Sequence, residues 1–324
     1  MKKTVCLIIS LVLFSVSLVG CERPKPVKNR QLNIITTDFS TYDWTVEILG
    51  EKRADYNVSM LYDRGTDMHS FEPTAADIVN ISLCDMFIFE GGQSEEWIEK
   101  TLSGSENKDK ITVNIIEELK DIVKTEETVE GMQEEKHHTD GENEIDEHIW
   151  LSVRNAEKAV SVICEKLSVL DQKNSAVFKK NTERYIENLR KIDGEYRSAV
   201  ENAENKTLVF GDRFPFRYLA DDYGLKYYAA FSGCSAESEA GFKTVMFLAE
   251  KIDENNLSTV LTIDNSNNKI ADTVIENTKQ KNQKILSLNS LQSVSKKDIE
   301  NGLKYTDVFM KNLEVLKTAL KTEE

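Results

Sequence analysis

Eight short apolar runs, each four to six residues long and set apart by helix-length segments, constrain the fold of this chain more than any other feature. Four lie at residues 32–37, 58–61, 86–89 and 111–115. Four more lie at 207–210, 226–230, 259–263 and 284–288. Strands that alternate with helices build βαβ units, whose sheets are largely parallel and buried on both faces. Thr74 with Asp77 three residues on, just after Pro73, is a capping-box pattern that starts a helix. Between the two blocks, residues 155–205 contain no proline, and Gly194 is their only glycine. Tyr185, Leu189, Ile192, Tyr196 and Val200 recur there at helical spacing, which predicts a helix over 172–203 about 45–50 Å long. A break at Gly194 into two helices is the alternative. The expected architecture is α/β: two lobes at 31–165 and 205–324, each a mainly parallel sheet flanked by helices, around one long helix. Such lobes leave a cleft, where ligand sites gather.

The N-terminus carries its own signal. Lys2 and Lys3 precede an apolar run over 5–19, too short to span a membrane and patterned as a secretory signal. It ends in Leu18-Val19-Gly20-Cys21, which resembles a bacterial lipobox, so 1–20 is expected to be a signal peptide and Cys21 a diacylated residue. Residues 21–30, with Pro24 and Pro26, read as a flexible tether. A formal charge of −15 excludes a nucleic-acid binder, which needs a basic face to release counterions. Of five cysteines, Cys84, Cys164 and Cys234 remain beyond the signal, with no CxxC pair, so neither a zinc ribbon nor a thioredoxin-like site is supported. Cys84 and Cys164 read as buried apolar residues. Cys234 sits in a Gly/Ser loop after the second strand of the second block.

Two of the four histidines are informative. His69 lies in Asp67-Met68-His69-Ser70-Phe71-Glu72-Pro73-Thr74, between a strand and a helix. In a parallel sheet that is the carboxyl edge. His148 lies in Asp146-Glu147-His148-Ile149-Trp150-Leu151, again just before a helix. Imidazoles on such loops serve as metal ligands, although a single one reads more readily as a surface or capping histidine.

The runs His69 to Thr74, with Asp77-Ile78, and His148 to Ser152 resemble the first- and second-ligand motifs of the zinc/manganese substrate-binding lipoproteins of ABC transporters. Phe216, Tyr218, Leu219, Ala220, Tyr223, Gly224 and Leu225 also match that family's segment after the first strand of the second lobe. The resemblance covers nearly the whole chain, lipobox included, and implies that the linking helix is rigid. It further implies a monomeric protein on the outer face of the cell membrane, held by its lipid. Such a protein captures Zn²⁺ or Mn²⁺ in the interlobe cleft and delivers it to an ABC permease and its ATPase. Some family members carry a His-rich loop where this chain has residues 125–147, with ten acids, one lysine and only His137 and His138. A solvated acidic loop is the alternative there.

The family's third ligand falls on Arg213, which has no lone pair to donate. Asp212 and Cys234 are the candidates to replace it, with Arg213 pairing an acid beside the site. The fourth ligand is expected at Asp264, closing the run 259–263. Because Arg213 departs from the pattern, the same fold binding an organic or anionic solute is the second reading. A metal-dependent hydrolase finds no HExxH, GxSxG or P-loop motif in the sequence, so no enzyme activity is expected.

Overall fold

The computed structural model describes residues 30–65, 67–133, 144–235 and 239–321. The signal peptide, Cys21, most of the tether, His137 and His138 lie outside the described residues. All eight apolar runs form strands. In the first lobe they are β1 (Leu32–Thr36), β2 (Tyr56–Met60), β3 (Met86–Phe89) and β4 (Ile111–Asn114). In the second they are β5 (Thr207–Phe214), β6 (Lys226–Ser232), β7 (Thr259–Ile263) and β8 (Lys284–Leu288).

Each lobe repeats one strand order, β2-β1-β3-β4 and β6-β5-β7-β8. Ile34 pairs with Met86 in parallel register, Met86 with Ile111, Leu208 with Tyr227, and Leu261 with Leu286. Position in the sheet explains the burial patterns. Central β3 and β7 are buried at every residue, whereas edge strand β2 alternates buried and exposed. In this order the chain reverses direction across each sheet between its first and third strands. That reversal opens a crevice at the carboxyl ends of the strands.

The helix Ser175–Glu201 runs unbroken through Gly194, and its 27 residues span about 40 Å. Its apolar stripe, Tyr185, Leu189, Ile192, Tyr196 and Val200, is buried throughout. Polar bonds fix it to both lobes. Asn181 donates to the Ile48 carbonyl at the end of helix Phe39–Leu49 (3.0 Å), and the Tyr196 hydroxyl donates to the Phe309 carbonyl in helix Tyr305–Leu320 (2.6 Å). A strut tied at two levels to two lobes resists bending, and residues 33–324 pack as one unit. Helix Ala75–Leu83 starts at the capping box of Thr74 and Asp77. Cys84 and Cys164 are buried free thiols, and Cys234 is a partly buried one. Among the described residues, no helix is long and apolar enough to cross a membrane.

Candidate metal centre

The carboxyl ends of five strands supply the loops that converge here. His69 follows β2, Ser94 follows β3, Arg213 lies near the end of β5, Cys234 follows β6, and Gln292 follows β8. His148 enters from the segment ahead of helix Val153–Leu170. That segment is held by two hydroxyls: Tyr218 donates to the Asp146 carbonyl (2.9 Å) and Tyr305 to the Trp150 carbonyl (2.6 Å).

His69 Nε2 lies 3.3 Å from His148 Nε2. Two nitrogens bound at about 2.0–2.1 Å to one tetrahedral zinc are about 3.3–3.4 Å apart, so the pair already has the span of two metal ligands. Cys234 joins them: its Sγ and the two ring nitrogens all lie within 4.8 Å of one another. The corresponding S···N span across zinc is about 3.6 Å, so closure needs a shift of at most about 1.2 Å.

The outer faces of both rings are fixed. Asp146 Oδ1 accepts from His148 Nδ1 (2.8 Å). His69 Nδ1 meets the Ser94 hydroxyl (2.7 Å), with Glu147 Oε2 at 3.7 Å, and Glu147 in turn accepts from the Ser94 amide (2.8 Å). Asp146 holds a proton on His148 Nδ1 and the Ser94 hydroxyl can accept one from His69 Nδ1; in that tautomer each Nε2 offers its lone pair toward the other ring. Burial and the neighbouring ring push His69 down to about 3, so it is neutral at physiological pH. Burial opposes charge on His148 too, but the hydrogen bond and charge of Asp146 overcome it and raise that ring. A cation that binds either Nε2 competes with a proton for the same lone pair.

Gln292 occupies the point where the lone pairs meet. Its Nε2 lies 2.9 Å from His69 Nε2 and 2.8 Å from His148 Nε2, one amide hydrogen for each ring. Its Oε1 is buried without a hydrogen-bond partner. Sequence reasoning missed this residue, because Ser290-Leu291-Gln292-Ser293 carries no ligand spacing. Only the β8 crossover brings it to the histidines.

Asp264, the expected fourth ligand, is placed otherwise. Its Oδ1 accepts from the Ser290 amide (2.6 Å) and hydroxyl (2.7 Å), and among the described residues it is not part of the converging donor group. It braces the loop that carries Gln292, in which Leu291 adopts a left-handed φ of 62°. Asp212 is likewise outside that group, and its Oδ1 accepts from the Arg213 amide (2.8 Å). Arg213 pairs with Asp67 at 2.6 Å and donates to the Ser235 carbonyl at 3.4 Å. Burial disfavours charge on Asp67, but the guanidinium outweighs it and holds the carboxyl below its usual range. The Arg213 charge is thereby neutralised beside the cleft. Asp67, Ser70, Arg213, Ser235 and Asp264 line a cavity of about 440 Å³ next to the donors.

The Cys234 loop fits closely against the rings. A Cβ at Gly233 would lie 2.8 Å from His148 Cε1 and 3.1 Å from the Phe214 carbonyl, so no larger residue leaves the imidazole in place. The Cys234 amide donates to Glu126 Oε1 (3.0 Å), at the base of the acidic loop, which a bridge between Thr125 and Ile145 closes. Burial, with the charges of Glu126, Glu147 and Asp146, pushes the thiol well up and so favours its protonated form.

Two α/β lobes on a long strut thus bring nitrogen and sulfur donors together at the strand ends. Residues 34–319 match the family described as zinc-uptake complex component A, periplasmic, and the chain belongs to that family. It is 32% identical over 327 residues to the zinc-binding lipoprotein AdcA of Streptococcus pneumoniae, an alignment that takes in all of this chain but 62% of that protein. The chain thus spans about three-fifths of the length of that relative. It is 29% identical over 298 residues to the high-affinity zinc uptake system protein ZnuA of Bacillus subtilis, covering 90% of this chain and 89% of that one. Among solved structures, the Zn(II)-bound ZnuA-like domain of Streptococcus pneumoniae AdcA superposes with a TM-score of 0.70 at 29% identity, over 90% of this chain and 99% of that domain.

Proposed function

We propose that this chain is the extracytoplasmic capture protein of an ABC importer for zinc. His69, His148 and Cys234 hold the ion, and Gln292 is the fourth donor once its amide turns about Cγ–Cδ to present Oε1. The observation that carries this reading is the 3.3 Å approach of two imidazole nitrogens with a thiol inside 4.8 Å. Thiolate and imidazole favour zinc over manganese, which prefers carboxylate and water. Arg213 is engaged by Asp67, so nothing favours the organic or anionic solute over the metal. The match to zinc-binding lipoproteins and to a zinc-uptake family supports delivery to a permease and its ATPase, with no reaction catalysed. Thioether lipidation of Cys21 is the proposed anchor, since two or more acyl chains suffice for stable attachment.

Metal analysis of the purified chain, before and after chelation, tests the reading. One tightly held zinc per chain supports it, and failure to retain zinc or manganese refutes it. For the anchor, Cys21→Ala should release the protein from membranes on fractionation. Retention equal to wild type would refute lipid attachment at that residue.

A further inference from the structure

Two histidines, one cysteine and a glutamine amide are a donor set that suits more than one borderline metal. Two nitrogens and a sulfur in a plane, with a weak oxygen donor on the axis, are the set that gives a thiolate–copper centre its character. Here His69 and His148 each point Nε2 inward, Cys234 Sγ lies within 4.8 Å of both, and the Gln292 amide touches both ring nitrogens with its carbonyl oxygen unpartnered. The remaining requirements are also met. His148 is fully buried, the rings are locked by Asp146 and Ser94, and Asp146, Glu147 and Glu126 surround the donors with negative charge. Copper(II) also stands above zinc in the general order of affinity for nitrogen and sulfur donors.

We propose that the same site takes copper(II) through a Cys234 thiolate, with Gln292 Oε1 as the weak axial donor, so that the cargo class extends beyond zinc to copper. This rests on the reading of His69, His148 and Cys234 as metal ligands. Binding breaks the Cys234 S–H bond, releases its proton to solvent and forms a Cu–S bond, with no change of oxidation state. The other two described thiols, Cys84 and Cys164, are buried elsewhere in the fold.

The test is an anaerobic titration of the full-length, detergent-solubilised, chelator-stripped chain with copper(II) alone, followed by visible absorption and electron paramagnetic resonance. Zinc binding is measured in parallel by calorimetry. One equivalent of copper should give an intense blue thiolate-to-copper absorption, about tenfold or more stronger than in Cys234→Ser, with the narrow copper hyperfine splitting of such centres. Gln292→Leu should keep the intensity and shift the band, which keeps the proposal testable if Cys234→Ser does not fold. If wild type binds zinc but shows only weak copper absorption without sulfur character, the copper proposal is overturned and the zinc reading stands. If neither zinc nor copper binds, both fall.

Discussion

Arg213 and Asp67 form a 2.6 Å ion pair that joins the end of β5 in the second lobe to the His69 loop of the first. A fixed positive charge beside a site for divalent cations would repel its ligand. Pairing it with a carboxylate removes most of that repulsion and ties the His69 loop to β5, whose Arg213 also donates to the Ser235 carbonyl next to Cys234. Asp67→Asn should therefore weaken zinc binding about tenfold or more by leaving the guanidinium uncompensated. Asp67→Asn with Arg213→Met should recover part of the loss, because the unpaired charge is then gone. Calorimetry on the two variants decides it, and additive losses would contradict charge compensation.

His69→Ala and His148→Ala should each weaken zinc binding by at least about tenfold, since each removes one coordinate bond. His148→Ala should do the greater damage. Its ring is fully buried and hydrogen-bonded to Asp146, so the change also strips that buried carboxylate of its ring donor and leaves it the residue-148 amide alone at 3.0 Å. Competition against a chromogenic chelator gives the affinities, and wild-type affinity in either variant would place that ring outside the site.

Gly233→Ala tests the fit of the second lobe against the ring of His148. The added methyl would overlap Cε1 at 2.8 Å, with the backbone of Phe214 behind it, so the ring or the loop must shift. Zinc affinity should fall about tenfold while the melting temperature changes by only a few degrees, because the loop lies outside the cores. Unchanged affinity would mean that the loop yields freely.

Stability should depend on pH away from the site. Asp43 is buried beneath the long helix, accepts from the Tyr305 amide (3.1 Å), and is pushed up to about 7 by burial. Between about pH 4 and 7 the folded state then holds a proton that the unfolded state has lost, so stability falls as pH rises through that window. Glu95, also pushed up to about 7 by burial, adds a parallel slope. Asp43→Asn should remove part of the slope, with about 4 kcal/mol as the upper bound for a shift of this size. Denaturant midpoints at pH 5 and pH 8 measure it, and an unchanged slope would assign the effect elsewhere.

The fold was legible because its strands are short apolar runs set apart by helix-length segments. Those runs located all eight strands, helical spacing located the long helix, and the capping box located Thr74. Strand order was not legible, since no local pattern encodes which strand lies between which. The histidines could be read because their motifs are local in sequence. Gln292 could not, because only a crossover brings it beside His148, from which it is 144 residues away in sequence. Asp264 shows the reverse difficulty. Its position at a strand end resembles that of a ligand, yet Ser290 is near enough in space to take its carboxylate. Asp67 as the partner of Arg213 likewise depends on two lobes meeting.

The central claim is that nitrogen from His69 and His148 and sulfur from Cys234 share one zinc ion. X-ray absorption at the zinc edge of the zinc-loaded chain measures this without any variant. The expected first shell holds one sulfur at about 2.3 Å and nitrogen or oxygen neighbours at about 2.0–2.1 Å, with the outer-shell scattering of two imidazoles. A shell of nitrogen and oxygen alone, with no sulfur, would contradict it.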